Sequence, residues 1–234
     1  MFRTQWSIQS FSNLIEVLES CLEESMSNVK VIQGQAVTLP QLQSEFGLQH
    51  TNDVQFFQEW QGELPALGDL EQKALEDLRG DYLHLSTYPI LEPIVTLVVL
   101  SPLLRLAGFY RSPFHLANQQ EVRIAAEQDG KLSRGRVDIL RFQPQFWTVA
   151  IESTTIQYSL EVGIPQTLLA MLNDAAPGKP AFSFVTNGIA FKFFKLWQAD
   201  RPIYAESPLF SIDRALDLYR VVQILKSLSQ SLQD

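Results

Sequence analysis

Two carboxylate residues lie within apolar runs that alternate in the manner of β-strands. Asp138 stands between Val137 and Ile139, and Glu152 follows Ile151 at the end of the next run. A carboxylate among apolar residues is costly to bury unless it is paired or binds a cation. Two such oxygen ligands on neighbouring strands, which lie about 4.8 Å apart, suit Mg²⁺ or Mn²⁺. The spacing therefore predicts a divalent-metal site formed by Asp138 and Glu152.

The alternative interpretation is that the two carboxylates are only ion-pair partners. Asp138 would pair with Arg134 or Arg136 on its own strand, and Glu152 would pair with another arginine. In a metal site, by contrast, Arg136 would contact a phosphate. The residue types and their spacing leave both interpretations open.

The sequence pattern also predicts the elements that position these residues. Three β-rich runs with short turns between them predict an antiparallel meander, with the sequences EVRIAAE, RVDILRF and FWTVAIEST. The dipeptide Asn187-Gly188 predicts a later hairpin. Helices are predicted before the meander, between the meander and the hairpin, and over residues 212–232 with Ser211 as the cap. The order predicts an α/β (α+β) fold.

Composition excludes several classes of protein. The 234 residues are 46% hydrophobic and 19% charged, which predicts a folded chain with a core. The single cysteine, Cys21, excludes a disulfide framework and a thiolate metal cluster. The longest uncharged run, residues 93–104, is shorter than the roughly 20 residues that span a bilayer and predicts a buried core helix. Because no signal peptide opens the chain, we expect a cytoplasmic location and no membrane partner.

The charge is unevenly distributed along the chain. The formal net charge is −8, and the first 92 residues hold 4 basic against 14 acidic residues. The remaining residues hold 14 basic against 12 acidic ones, so this second part is able to approach a phosphate backbone. The acidic first part would instead engage a basic partner.

Four motifs of the chain resemble those of the PD-(D/E)XK nuclease superfamily: RGRVDIL, FWTVAIEST, SLEVGIPQTLLAML and FSFVTNGIAFKFFKL. More closely, they resemble the N-terminal nuclease domain of type I restriction enzyme R subunits and its small stand-alone bacterial relatives. The resemblance covers roughly residues 93–198. It implies a restriction-endonuclease-like domain, a mixed sheet flanked by helices, over residues 89–234. Residues 1–88 would then form an acidic helical N-terminal region.

The resemblance implies a role for each residue of the motif. Asp138 and Glu152 match the metal ligands, and Ser153 would lend its backbone carbonyl. Gln166 matches a glutamine that lies near the site in related nucleases. Thr154 stands where the superfamily has a lysine, which orients the attacking water and stabilises charge on the phosphate.

The chain departs from the superfamily pattern at the position of that lysine. Losing such a group commonly costs about 10² to 10³ in rate. Lys192 and Lys195 are the candidate replacement cations, since they lie on the last predicted strand. The helix before the meander often supplies a further acid in the superfamily. Glu92 is the first candidate for that acid, and Glu121 is the second.

These observations predict a divalent-metal-dependent nuclease-like protein that hydrolyses DNA phosphodiesters, with activity lowered or lost through Thr154. Arg134, Arg136 and Lys192 are its candidate nucleic-acid contacts. The alternative is a non-catalytic module that keeps the nuclease fold for protein assembly or for regulation of a DNA-processing system. In that case the acidic N-terminal region would bind a protein partner or form a homodimer.

Overall fold

The computed structural model of the chain describes residues 32–33, 37–88, 92–128, 131–143, 146–152, 160 and 163–233. Within these residues the strands form one mixed sheet, and helices cover both of its faces. This confirms the expected α/β class and the mixed sheet flanked by helices. Ser153 and Thr154 lie outside the described residues.

The sheet has nine strands within the described residues, and their order is β1-β3-β4-β5-β6-β7-β8-β2, with β9 paired to β7. The strands are β1 (Ile32–Gln33), β2 (Gln49–His50), β3 (His115–Gln128), β4 (Lys131–Gln143), β5 (Phe146–Glu152), β6 (Pro180–Thr186), β7 (Ala190–Trp197), β8 (Ile203–Glu206) and β9 (Phe210–Ser211). The short strands β1 and β2 pair in parallel with β3 and β8 at the two edges.

The predicted meander is strands β3, β4 and β5, which pair antiparallel in that order. Strand β5 then pairs in parallel with β6, so the chain crosses over between them through helix α5 (Ile164–Asp174). Strands β6 and β7 form the predicted antiparallel hairpin, and Gly188 in its turn has a φ of 88°. Both predictions are confirmed.

The helices are α1 (Leu39–Phe46), α2 (Asp69–Leu85), α5 and α6 (Ala215–Ser231), together with a helix of three consecutive segments. Those segments are α3 (Glu92–Val95), a π-helical turn (Thr96–Leu100) and α4 (Ser101–Leu106), which we call the central helix. Its buried residues confirm the prediction of a core helix. Among the described residues, no helix is both long and apolar enough to cross a membrane.

The π-helical turn has an identifiable local cause. The N–H of Ser101 donates to the carbonyl of Thr96, five residues back, instead of the usual four. Pro102 follows directly, and a proline has no N–H to continue the α-helical bonding and clashes with the carbonyl four residues before it. The extra residue in this turn accommodates the proline without breaking the helix.

Two hydrophobic cores lie on the two faces of the sheet. The first core contains Phe182 and Phe184 of β6, and the central helix, α2 and α6 pack over it. The second core contains Ala181 and Val185 of the same strand, and α1 and α5 pack over it. Because successive side chains of a strand point to opposite faces, the alternation in β6 assigns each helix to a face.

Residues on both sides of position 88 share the first core. Phe57, Leu75 and Tyr82 are buried in it together with residues of β6 and β7. Burial, reinforced by the charge of Asp213, raises the pKa of the Tyr82 hydroxyl to about 12. These contacts do not decide whether residues 1–88 and 89–234 form separate domains, so that domain boundary stays a prediction.

Two predictions about the C-terminal part were wrong. Helix α6 begins at Ala215 with Arg214 at its cap position, so Ser211 is not the cap. Ser211 instead ends β9, and its N–H donates to the Asp217 carboxylate over 2.9 Å. Strands β8 and β9 also stand between the hairpin and α6, so β7 is not the last strand. These strands are four and two residues long, which is too short for a clear alternation.

Candidate metal centre

The register of β4 and β5 brings the two predicted metal ligands together. Asp138 lies opposite Ala150, and Glu152 lies opposite Arg136. Opposed residues share a face of the sheet, and so do residues two apart on one strand, which makes Asp138 and Glu152 diagonal neighbours on one face. Diagonal neighbours are roughly 7–8 Å apart or less, a spacing that allows two carboxylates to hold one cation. Metal binding itself stays a prediction.

This face is the one that the central helix covers. Phe142 lies four residues after Asp138 on β4 and opposite Phe146 of β5, and both phenylalanines are buried in the first core. The first segment of the central helix, which begins at Glu92, contacts β5. The acid pair therefore lies on the same face as the apolar residues that the central helix covers.

Two further acids occupy positions close to the pair. Glu121 of β3 lies directly opposite Asp138, so it belongs to the same face and the same cross-strand row. Glu92 opens the helix that covers this face. From the sequence, Glu92 is the first candidate for the additional acid and Glu121 the second. The register favours Glu121, because a residue directly opposite Asp138 has the shortest cross-strand spacing to it.

Basic residues occupy the adjacent row of the same face. Arg136 lies between Glu152 of β5 and Arg123 of β3, and Arg134 lies one row further from Asp138. Arg136 is therefore the arginine that the ion-pair interpretation requires for Glu152. Both interpretations of the acid pair consequently remain open. Arg123 was missed in the sequence analysis.

Gln166 lies in helix α5, on the opposite face from the acid pair. The helix packs through Leu168 and Met171 against Val185 in the second core, and it also contacts β5. Gln166 is 6% exposed, and its Nε2 has no hydrogen-bond partner within the described part of the chain. By contrast, the adjacent Thr167 hydroxyl donates to the Gly163 carbonyl over 2.8 Å. A buried unpaired donor is unusual and requires an explanation.

The two lysines proposed as replacement cations are already in ion pairs. Lys192 Nζ lies 2.7 Å from Glu206 Oε1, and Lys195 Nζ lies 2.6 Å from Glu59 Oε1. Lys192 lies opposite Val185, whose row leads through β5 to Ile139. It therefore occupies the face opposite to that of the acid pair, and this placement counts against Lys192 as the replacement.

Lys195 occupies the same face as the acid pair but at a distant row. It lies opposite Phe182, and that row continues through Phe146 to Phe142, four residues along β4 from Asp138. Four residues of a strand correspond to roughly 13 Å, in addition to three steps between strands. Neither lysine therefore lies in a position to act as the replacement cation at the site.

Comparisons with known proteins provide no family assignment. No family model matches the chain, and no curated protein is significantly similar to it in sequence. Among the residues whose side chains the structure describes, which do not include Glu121, Asp138 and Glu152, no group of three or more histidine, cysteine, aspartate or glutamate side chains is arranged to hold a metal. The case for a metal centre therefore depends on the hard oxygen donors that the register places together, which fit Mg²⁺ or Mn²⁺.

Proposed function

We propose that the chain is a divalent-metal-dependent nuclease-like protein with a restriction-endonuclease-like fold, whose reaction is hydrolysis of DNA phosphodiester bonds. One observation carries this proposal: Asp138 and Glu152 are neighbours on the sheet face beneath the central helix. Glu121 lies directly opposite Asp138, and Glu92 begins the helix segment that contacts β5. Such a concentration of negative charge is unfavourable unless a cation or basic groups balance it.

The residues of the site would divide the work of hydrolysis between them. Asp138 and Glu152 would hold the metal, with Ser153 adding its carbonyl oxygen. When bound there, Mg²⁺ or Mn²⁺ would lower the pKa of a water and neutralise charge on the phosphate. Arg136 would contact the scissile phosphate or its neighbour, because its row adjoins that of Asp138. Gln166 lies in α5 on the opposite face and is therefore given no part in the reaction.

A second function is supported by the state of the lysines. Thr154 replaces the superfamily lysine, and Lys192 and Lys195 are both held in ion pairs. A protein of this fold without a catalytic cation would be a non-catalytic module for assembly or regulation in a DNA-processing system. Its acidic first part would then bind a protein partner or a second copy of the chain.

The decisive experiment combines metal binding with cleavage. Mn²⁺ binding would be measured by titration calorimetry, and cleavage of DNA would be measured with Mg²⁺ and with Mn²⁺. The variants are Asp138→Ala, Thr154→Lys and, as a matched control, Asp77→Ala. Asp77 is an exposed acid on α2 that pairs only with the nearby Lys73 among the described contacts.

The nuclease proposal expects Mn²⁺ binding that Asp138→Ala abolishes and Asp77→Ala leaves unchanged. It further expects Thr154→Lys to raise cleavage by about 10² to 10³. Metal binding without cleavage in either the natural protein or Thr154→Lys would favour the non-catalytic module. Absence of Mn²⁺ binding in the natural protein would overturn the metal centre and leave the ion-pair interpretation.

A further inference from the structure

Within the part of the chain that the structure describes, strands β3 and β4 extend beyond the strands beside them. The last residue of β5, Glu152, lies opposite Arg136, and β1 pairs with β3 only at Val122 and Arg123. From the pair Ile124–Gly135 to the pair Gln128–Lys131, the two strands have only each other as partners within the described residues. We call this two-stranded ribbon, residues 124–128 and 131–135, the arm. Its five residues per strand correspond to a length of about 17 Å.

The arm and its base carry positive charge in an acidic protein. Residues 123–136 contain four basic residues and two acidic ones, whereas the whole chain has a formal net charge of −8. The register places Arg123, Arg134 and Arg136 on the face that also carries the acid pair. These three arginines therefore lie between the arm and the candidate metal centre, on the same face of the sheet.

The dimensions and composition of the arm fit double-stranded DNA. The major groove of B-DNA is about 12 Å wide and admits a two-stranded β-ribbon. Single-stranded nucleic acid is instead bound mainly through aromatic side chains on which bases stack, and residues 124–135 include no aromatic residue. Arginines at the base of such a ribbon are well placed to neutralise phosphates at the groove edge.

We propose that the arm binds duplex DNA by entering a groove and thereby positions the phosphate backbone over Asp138 and Glu152. This inference deepens the proposed nuclease function and depends on it for the second step, the delivery of the phosphate. The first step, binding of duplex DNA by the arm, requires neither metal nor catalysis. It is therefore testable separately.

A second copy of this chain is the competing occupant of the arm. Strand edges that lack partners are able to pair with the edge of another chain. The arginines favour DNA, because a symmetric pairing of two arms would bring like charges together. The oligomeric state in solution is accordingly measured alongside DNA binding.

The test measures binding of a fluorescent 20-base-pair duplex, and of one of its single strands, by anisotropy in EDTA. The full-length protein is compared with Arg123→Ala, Arg134→Ala, Arg134→Lys and Lys73→Ala. Lys73 is a charge-matched control, since it is an exposed cation on α2. Circular dichroism melting verifies that each variant is folded, and sedimentation velocity gives the oligomeric state.

The proposal expects the duplex to bind at least about tenfold more tightly than the single strand. Each arginine-to-alanine change should weaken duplex binding. It should also reduce the slope of log affinity against log salt concentration by about one, which corresponds to one phosphate contact. Arg134→Lys should retain most of the binding, and Lys73→Ala should retain all of it. A variant that fails to fold would be replaced by the corresponding lysine variant with a salt titration.

Two results would overturn the proposal. The first is that the protein does not bind the duplex, or that neither Arg123→Ala nor Arg134→Ala weakens the binding. The second is that the protein is a dimer in solution and that these substitutions dissociate it. Failure of the arm proposal can be distinguished from failure of the nuclease proposal. Duplex binding that persists in Asp138→Ala without any Mn²⁺ binding would support the arm and refute the metal centre, whereas metal-dependent cleavage without arm dependence would do the reverse.

Discussion

Glu121 of β3 lies directly opposite Asp138 of β4, and both lie on the face that carries Glu152. Three acids thus occupy neighbouring positions on three adjacent strands. In the next row Arg136 lies between Arg123 and Glu152. Acidic and basic residues are therefore interleaved in two adjacent rows of this face, with two acids in one row and two arginines beside Glu152 in the other. This arrangement suits a cation beside a phosphate.

The first prediction concerns Glu121 as a metal ligand or as a neighbour of one. Glu121→Gln should weaken Mn²⁺ binding by about tenfold, because it removes a charge directly beside Asp138. Glu92→Gln should have the smaller effect. Calorimetric titration of both variants measures their Mn²⁺ affinities. A larger loss of affinity in Glu92→Gln than in Glu121→Gln would show that Glu92 is the additional acid, as the sequence predicts.

The sequence contains enough information to derive this relationship. The dipeptide Asp129-Gly130, which lies outside the described residues, predicts a two-residue turn, and such a turn would fix the register of the strands on either side of it. Counting outward from the turn pairs Gln128 with Lys131 and, seven steps further, Glu121 with Asp138, as the structure shows. The alternation in each strand then assigns the faces. The pairing of Glu121 with Asp138 was thus predictable from the local turn signal.

Other parts of the fold were not predictable in this way. The pairing of β1 with β3 and of β2 with β8 joins residues far apart in sequence through strands of two residues each. Such strands are too short for a periodic signal, so only tertiary contacts define them. The opposite placement of Lys192 and the acid pair likewise depends on the crossover through α5. No local motif specifies that crossover.

The second prediction concerns the buried amide nitrogen of Gln166. Gln166→Met should raise the free energy of unfolding by about 1 kcal/mol, because it removes a buried donor that has no partner among the described residues. Because α5 covers the face opposite to the acid pair, cleavage in the Thr154→Lys background should be unchanged. Urea denaturation and the cleavage assay test the two expectations.

The neighbouring residue provides a control for Gln166. Thr167→Val removes a buried hydroxyl that does have a partner, the Gly163 carbonyl. It should therefore lower the free energy of unfolding by about 1 kcal/mol. A loss of stability in Gln166→Met as large as that in Thr167→Val would show that the amide has a partner after all.

The third prediction concerns the contact between the hairpin turn and α2. A Cβ atom at Gly188 would lie 2.6 Å from the Tyr82 hydroxyl, and the φ of 88° is itself unfavourable for alanine. Gly188→Ala should cost about 3 kcal/mol through overpacking and backbone strain. Gly47→Ala is the control: its φ is 66°, but its Cβ would meet nothing within 4 Å. It should cost only about 1 kcal/mol in thermal denaturation.

The fourth prediction concerns the ion pair between Lys195 and Glu59. Their side chains are only 15% and 19% exposed, and Lys195 also lies over the rings of Phe56 and Phe182. Lys195→Met leaves the Glu59 carboxylate without its cation and should cost about 3 kcal/mol. Adding Glu59→Leu should recover much of that loss. Mn²⁺ binding should be unchanged in both variants. If the folded double variant lost Mn²⁺ binding, Lys195 would have to be counted as part of the site.

The last prediction concerns pH and the ion pair between Glu71 and Lys226, whose atoms lie 2.7 Å apart. The hydrogen bond from Lys226 holds the pKa of Glu71 below its ordinary value of 4.5, with burial acting in the opposite direction. A depressed pKa in the folded state means that the stabilisation is complete above pH 4.5 and is lost as the pH falls through the folded value.

Lys226→Met should therefore lower the free energy of unfolding by about 1 kcal/mol at pH 7, since both side chains are about one-quarter exposed and partly screened. The difference from the natural protein should shrink below pH 4.5 and vanish once Glu71 is protonated in the folded state. Urea denaturation at a series of pH values measures it. A difference that stays constant down to pH 2 would mean that Lys226 contributes through packing of its aliphatic chain and not through its charge.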